Sequence, residues 1–209
     1  MIRKRKKLDK PAAVVLGIAG SGRKNGNSEI LLDKVLEGAK SNGAKTEKLV
    51  LNRLNIKLCE AENHCMRKGA CFINDDMTKI YKKLKTADAV VIASPVYFGS
   101  VSAQLKTLID RCQAIWATYF ILKKKRLYKG RRRGIFISTS GHNKRRFFQN
   151  SKEIVEILFM ILGIDLYKEL YVTNLEDPGE VLKRKKVLDK AFRSGVVLVN
   201  TNFTDKDKR

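Results

Sequence analysis

Three stretches of the chain carry residue types that can do chemistry. The first, Gly20-Ser-Gly-Arg-Lys-Asn-Gly-Asn-Ser28, directly follows an apolar run, Ala13–Ala19. A Gly-rich turn between a strand and a helix presents backbone N–H groups at the positive end of that helix. Ser21, Arg23, Asn25, Asn27 and Ser28 add side-chain donors, so the turn reads as an anion site. It is not a Walker A loop, because Gly22 is followed by Arg23-Lys24, and the dinucleotide fingerprint G-x-G-x-x-G fails at Asn25. Hydroxyls with one arginine suit a terminal monophosphate better than a pyrophosphate. An ordinary βα turn with helix-capping polar residues is the plainer alternative.

The second stretch, Ser94-Pro95-Val96-Tyr97-Phe98-Gly99-Ser100-Val101-Ser102, sets an aromatic pair beside a glycine. After a buried strand such aromatics can be core, but at the ligand edge of a sheet they suit a flat apolar ring held near backbone donors. The third stretch holds Cys59, Cys65 and Cys71; the fourth cysteine, Cys112, is distant in sequence. In a chain of 209 residues this clustering indicates a metal or redox site rather than a disulfide framework. Zinc on the three cysteines plus His64 is disfavoured, since adjacent residues rarely both reach one tetrahedral ion. His64 and His142 read as solvated loop histidines.

These loops need elements to position them. Ala13–Ala19, Lys45–Leu51, Ala89–Ser94, Gly134–Ser138 and Leu166–Thr173 read as strands, several of them bare apolar runs typical of strands buried on both faces. Helical spacing appears at 30–39, 76–85, 101–114, 147–162 and 180–199. Strands alternating with helices predict a five-stranded parallel sheet between two helical layers, an α/β three-layer sandwich. In such sheets ligands collect at the carboxyl ends of the strands, where loops 20–28, 95–100 and 139–143 fall. With no repeat and no linker, one domain over residues 1–209 is expected, carrying a cysteine-bearing loop at about 57–75.

Composition narrows the class. Hydrophobic residues make up 44%, enough for a core, and no apolar run approaches the ~20 residues that cross a bilayer. The basic N-terminus lacks a small-residue cleavage site, so a cytoplasmic protein is expected. Lys+Arg number 44 against 21 Asp+Glu, a formal charge of +23. Half of the basic residues lie in runs at 1–10, 123–133, 144–146 and 183–190. Solvated faces are the plain reading of these runs. Docking of an acidic electron-transfer protein is a sharper one. Nucleic-acid binding is disfavoured, because no helix-turn-helix, zinc finger or RNA-binding motif is visible.

The stretches GSGRKNGNSEILL (20–32), KLCEAENHCMRKGACFINDDM (57–77) and ADAVVIASPVYFGSVSAQLKTLIDR (87–111) resemble the flavodoxin-like NADPH-dependent FMN reductase family, and within it the iron–sulfur flavoprotein branch. The resemblance implies a flavodoxin-like fold, bound FMN, NAD(P)H as co-substrate and a flavin, quinone or similar small acceptor. It implies FMN phosphate at Ser21, Arg23, Asn25, Asn27 and Ser28. It implies the isoalloxazine ring against Pro95, Val96, Tyr97, Phe98 and Gly99, and its pyrimidine side at Thr139, Ser140 and Gly141. The cofactor does the electron chemistry, so no catalytic acid or base is expected. The branch pattern implies an iron–sulfur cluster on Cys59, Cys65 and Cys71, but Glu62 stands where the second cysteine belongs; a remnant loop without metal is the alternative. The Lys144-Arg145-Arg146 run would lie near the third flavin loop and attract NADPH phosphates. A homodimer or homotetramer is expected, with Trp116–Phe120 at the interface. The competing reading is an electron carrier serving an acidic ferredoxin-like partner.

Overall fold

The computed structural model describes residues 12–126, 128 and 131–199, so the first basic run lies outside the described residues. Five strands form one sheet: β1 (Val14–Ala19), β2 (Lys45–Val50), β3 (Ala89–Pro95), β4 (Arg132–Thr139) and β5 (Ile164–Val172). All neighbours pair in parallel, in the order β2-β1-β3-β4-β5. The order reverses between β1 and β3, the switch point at which doubly wound sheets of this flavodoxin-like order open a crevice.

Alternation along the strands divides the core. Val15, Ala19, Val91, Ala93, Ile135 and Ile137 face α1 (Asn27–Ser41) and a C-terminal helix, Lys185–Leu198. Leu16, Ile18, Val90, Ile92 and Phe136 face the other layer. That layer consists of α3 (Met77–Thr86), α4 (Ala103–Arg111) and α6 (Arg145–Leu162), while a short α2 (His64–Lys68) lies in the cysteine loop. The C-terminal helix, α7, meets α1 backbone to backbone. A Cβ on Gly195 would sit 1.8 Å from the Val35 carbonyl oxygen, and one on Gly38 would sit 2.0 Å from that of Phe192. Only glycine allows that approach.

Several boundaries differ from the sequence expectation for local reasons. The helix expected over 101–114 starts at Ala103, where buried Ser102 caps it by accepting from the Leu105 N–H at 3.2 Å. Beyond Arg111 it re-forms as α5 (Gln113–Trp116) and a π-helical turn, Ala117–Ile121. The last expected helix is a 3-10 turn, Glu180–Lys183, followed by α7. Arg184 breaks the path with φ −102 and ψ 70 while its guanidinium donates to the Thr173 and Asn174 carbonyls. Gly163, at φ 71, ends α6 and starts β5 two residues before the expected Leu166.

Candidate functional site

Four loops at the carboxyl edge enclose a cavity of about 510 Å³. Ser21, Arg23, Gly26, Asn27 and Ser28 line it from the β1 loop, Pro95–Gly99 from the β3 loop, and Thr139–His142 with Lys144 and Phe147 from the β4 side. Leu175, Glu176 and Pro178, which follow β5, close it. Twelve of the thirteen expected cofactor residues therefore meet at one cavity.

Asn25 does not. It is exposed, sits at φ 54, and gives its backbone N–H to Glu29 Oε2 at 3.1 Å, so it shapes the turn instead of lining the cavity. Asn27 lines the cavity, but its amide is engaged elsewhere: Nδ2 donates to the Asp177 carbonyl at 2.8 Å, and Oδ1 accepts from the Val181 N–H at 3.0 Å. Its side chain ties the β1 loop to the β5 loop and is not a free anion donor. Ser21 Oγ accepts from the Arg23 N–H at 3.1 Å, fixing the turn. The exposed Arg23 guanidinium reaches the Glu176 carbonyl at 3.3 Å, so it already leans across the mouth.

The β3 loop is a tight turn. Tyr97 and Ser100 exchange backbone hydrogen bonds of 2.9 and 3.0 Å around Phe98 (φ 49) and Gly99 (φ 75). Two successive left-handed residues make a type I′ geometry, which suits Gly at the second place and strains Phe at the first. The Phe98 side chain projects wholly into solvent (110% exposed). Phe147 packs on Gly99 so closely that a Cβ there would lie 2.9 Å from its Cδ1, and Asn150 Nδ2 holds the Gly99 carbonyl at 2.7 Å. The Ser102 hydroxyl donates to the Gly20 carbonyl at 2.5 Å, joining the first two loops beneath the cavity.

The cysteine loop forms a separate cavity of about 660 Å³, lined by Cys59, Cys65, Cys71, Glu62 and His64 together with Ile157 and Ile161 of α6. Burial pushes the Cys65 thiol up, and repulsion from Cys71 and Cys59 adds to this. The thiols therefore share a field, yet they do not converge. Among the described residues no three His, Cys, Asp or Glu side chains are arranged to hold a metal ion. Asn63 turns left-handed (φ 52) and starts α2, which leaves Cys59 exposed before the turn and Cys65 inside the helix. Cys112 lies in the core, where burial pushes its thiol up to about 12, so it supplies no thiolate. Three thiols and the Glu62 carboxylate thus line one cavity without meeting at a single point in this structure.

The ends of this loop are locked by a buried ion pair that the sequence did not announce. Arg111 meets Asp75 at 2.6 and 3.1 Å, both side chains fully buried, and also donates to the Lys57 carbonyl at 2.8 Å. Burial alone would raise the Asp75 carboxyl. The guanidinium and the N–H groups of Lys57 and Met77 more than offset it and hold that carboxyl below its ordinary value.

Comparison with known proteins then decides the lineage. Residues 13–162 match the family model described as NADPH-dependent FMN reductase. The chain belongs to that family. Relatives of this chain include an iron–sulfur flavoprotein of Methanosarcina thermophila, 39% identical over 111 residues, covering 53% of this chain and 58% of the relative. Another, from Methanocaldococcus jannaschii, is 43% identical over 101 residues, covering 48% and 52%. The chain thus spans about half the length of those relatives. Among solved structures, an NAD(P)H:quinone oxidoreductase from Methanothermobacter marburgensis superposes with TM-score 0.65 at 17% identity, covering 92% of this chain and 98% of that one. An FMN-dependent NADH-azoreductase from Bacillus anthracis superposes at 0.59 with 17% identity, covering 90% and all of that chain. Both share the fold of this chain. The family match ends at Leu162, so the β5 loop that closes the cavity lies beyond it.

Proposed function

We propose that the chain, acting as a single flavodoxin-like domain, binds FMN and uses NAD(P)H to reduce a flavin, quinone or similar small acceptor. The observation that carries this reading is the joining of an anion turn and an aromatic-flanked backbone shelf in one cavity at the switch point. Its volume falls within the range of about 300–1,000 Å³ usual for small-molecule sites. Bound FMN would supply the ring that accepts hydride and passes electrons on.

The chain's own residues do the rest. Ser21, Arg23, Ser28 and the uncapped N–H groups at the start of α1, whose N-cap is Gly26, would hold the phosphate. The Val96–Gly99 backbone, pinned by Val96 N–H to Thr139 O at 2.8 Å and by the Tyr97–Ser100 turn, would line the ring. Thr139, Ser140 and Gly141 would face its pyrimidine side, with the Ser140 hydroxyl accepting the His142 N–H at 3.1 Å to hold that loop. Phe147 and Leu175 supply apolar walls that exclude water. No side chain of the cavity needs to carry a proton in the hydride step.

The test is the visible spectrum of anaerobically purified protein before and after NADPH. A flavin spectrum that bleaches on NADPH addition is expected. Colourless protein that cannot be reconstituted with FMN would overturn the reading.

A further inference from the structure

We infer that Lys144, Arg145 and Arg146 form a receptor for the 2′-phosphate of NADPH and so set the preference for NADPH over NADH; this rests on the oxidoreductase reading above. Several cations among the described residues find a carboxylate. Lys48 pairs with Glu29 and Asp33, Lys106 with Asp110, Lys152 with Glu156 and Glu169, and Arg193 with Asp189. Lys144, Arg145 and Arg146 are consecutive, all exposed, and none pairs with a carboxylate among the described residues. The first turn of α6 contains no acidic residue either. Three neighbouring positive charges without a counter-charge repel one another, and an anion relieves that repulsion.

Their place is fixed against the cavity. Lys144 and Phe147 both line it, and Phe147 is flanked by Lys144 Nζ at 5.7 Å and Arg146 Cζ at 4.9 Å from its ring centroid. These are cation–π distances, so the two charges are tethered to a ring that forms the cavity wall. Asn150, one turn on, bonds the Gly99 carbonyl, which ties the start of α6 to the turn that would line the flavin ring.

The geometry also separates this cluster from the FMN phosphate. The anion turn follows β1 and the cations follow β4, and β3 lies between them. Two strand spacings put those loop bases roughly 10 Å apart, too far for one monophosphate to serve both. The cluster therefore meets a second anion, carried by a molecule that must also reach the ring. A phosphate monoester holds close to two negative charges on one phosphorus, whereas a dinucleotide pyrophosphate carries one on each. On an exposed, screened rim the more concentrated charge is favoured, and guanidinium forks match its oxygens. NADPH differs from NADH by that one group.

The deciding measurement is titration calorimetry of the FMN-reconstituted chain with 2′,5′-ADP and with 5′-AMP, the adenosine halves of the two nucleotides. The parent should bind 2′,5′-ADP at least about tenfold more tightly, the factor expected of one charge-assisted hydrogen bond. That preference should vanish in Arg145→Gln/Arg146→Gln, and the NADPH/NADH ratio of kcat/KM should fall with it. Equal binding of the two compounds by the parent, or a preference retained in the variant, would overturn the inference. Selective 2′,5′-ADP binding in a protein that oxidises neither nucleotide would uphold the receptor while removing the reductase reading.

Discussion

Asp75→Asn tests what holds the cysteine loop in place. The wild-type carboxylate accepts from Arg111 at 2.6 and 3.1 Å and from the N–H groups of Lys57 and Met77 at 2.9 and 3.0 Å. Asparagine keeps the shape but removes the charge and turns one acceptor into a donor aimed at a guanidinium. Arg111 is then a buried cation with only carbonyl partners, and breaking such a pair costs about 3–5 kcal/mol. Because the Lys57 and Ile73 carbonyls remain, the lower end, about 3 kcal/mol, is expected, a large share of the roughly 5–15 kcal/mol that a domain has. Equilibrium urea unfolding followed by the fluorescence of Trp116 reads it, since the chain has one tryptophan and it lies in the short helix just after Arg111. The pH dependence gives a second check. A carboxyl whose folded pKa is lowered contributes stability above its unfolded pKa of about 3.9, and that contribution is lost as pH falls through the folded value. The gap between parent and variant should be flat from neutral pH into the mildly acidic range and close below the ordinary carboxylate range. Arg111→Met combined with Asp75→Asn should recover part of the loss, because it leaves no buried charge and keeps an acceptor for the Lys57 and Met77 N–H groups. A loss under about 1 kcal/mol at neutral pH, or a gap unchanged in strong acid, would refute the reasoning.

Other outcomes follow from the same geometry. Arg23→Ala should weaken FMN binding by about 1.5–3 kcal/mol, read by fluorescence titration of the apoprotein, whereas Asn25→Ala should leave affinity nearly unchanged. Anaerobic reconstitution should load iron and sulfide substoichiometrically, and Glu62→Cys should raise both, because a soft thiolate replaces a hard carboxylate. A full cluster in the parent, or no iron in the variant, would count against this. Light scattering should show a homo-oligomer that Phe120→Asp weakens, since Trp116 and Phe120 stack at 6.3 Å while Phe120 and Ile121 stay exposed; a monomer with FMN bound would contradict it.

The strands and three of the four cavity loops were legible because bare apolar runs and Gly-rich turns are local signals. Ser21, Ser28 and Pro95 line the cavity from loops read that way, and Ser140 from a loop whose site role the resemblance implied. The β5 loop was not, since Leu175, Glu176 and Pro178 form no motif and are brought to the cavity by pairing of β5 with β4. Asn27 was chosen as a polar residue of the β1 turn and does line the cavity, but its partners, Asp177 and Val181, lie 150 or more residues away. Donors that look free in a sequence are often already engaged in the fold. The Arg111–Asp75 pair escaped notice for the same reason, as neither residue is unusual in a basic chain until burial makes it so. The cysteines show the converse: their spacing suggests ligation and the fold brings all three to one cavity, while a left-handed Asn63 and a five-residue helix set how far apart Cys59 and Cys65 lie.

The backbone contact between α1 and α7 makes the C-terminal quarter a reporter of what happens at the anion turn. Gly195 and Gly38 let the two helices touch, and Asn27 and Arg23 bond the loop that leads into α7. A local opening that frees α7 and the loop before it therefore breaks the bonds to Asn27 at the start of α1, where the first residues line the cavity. By linkage, a ligand held there suppresses that opening by the full free energy with which it prefers the closed form. Amide hydrogens of Ala191–Leu198, which line no part of the cavity, should exchange more slowly with FMN present.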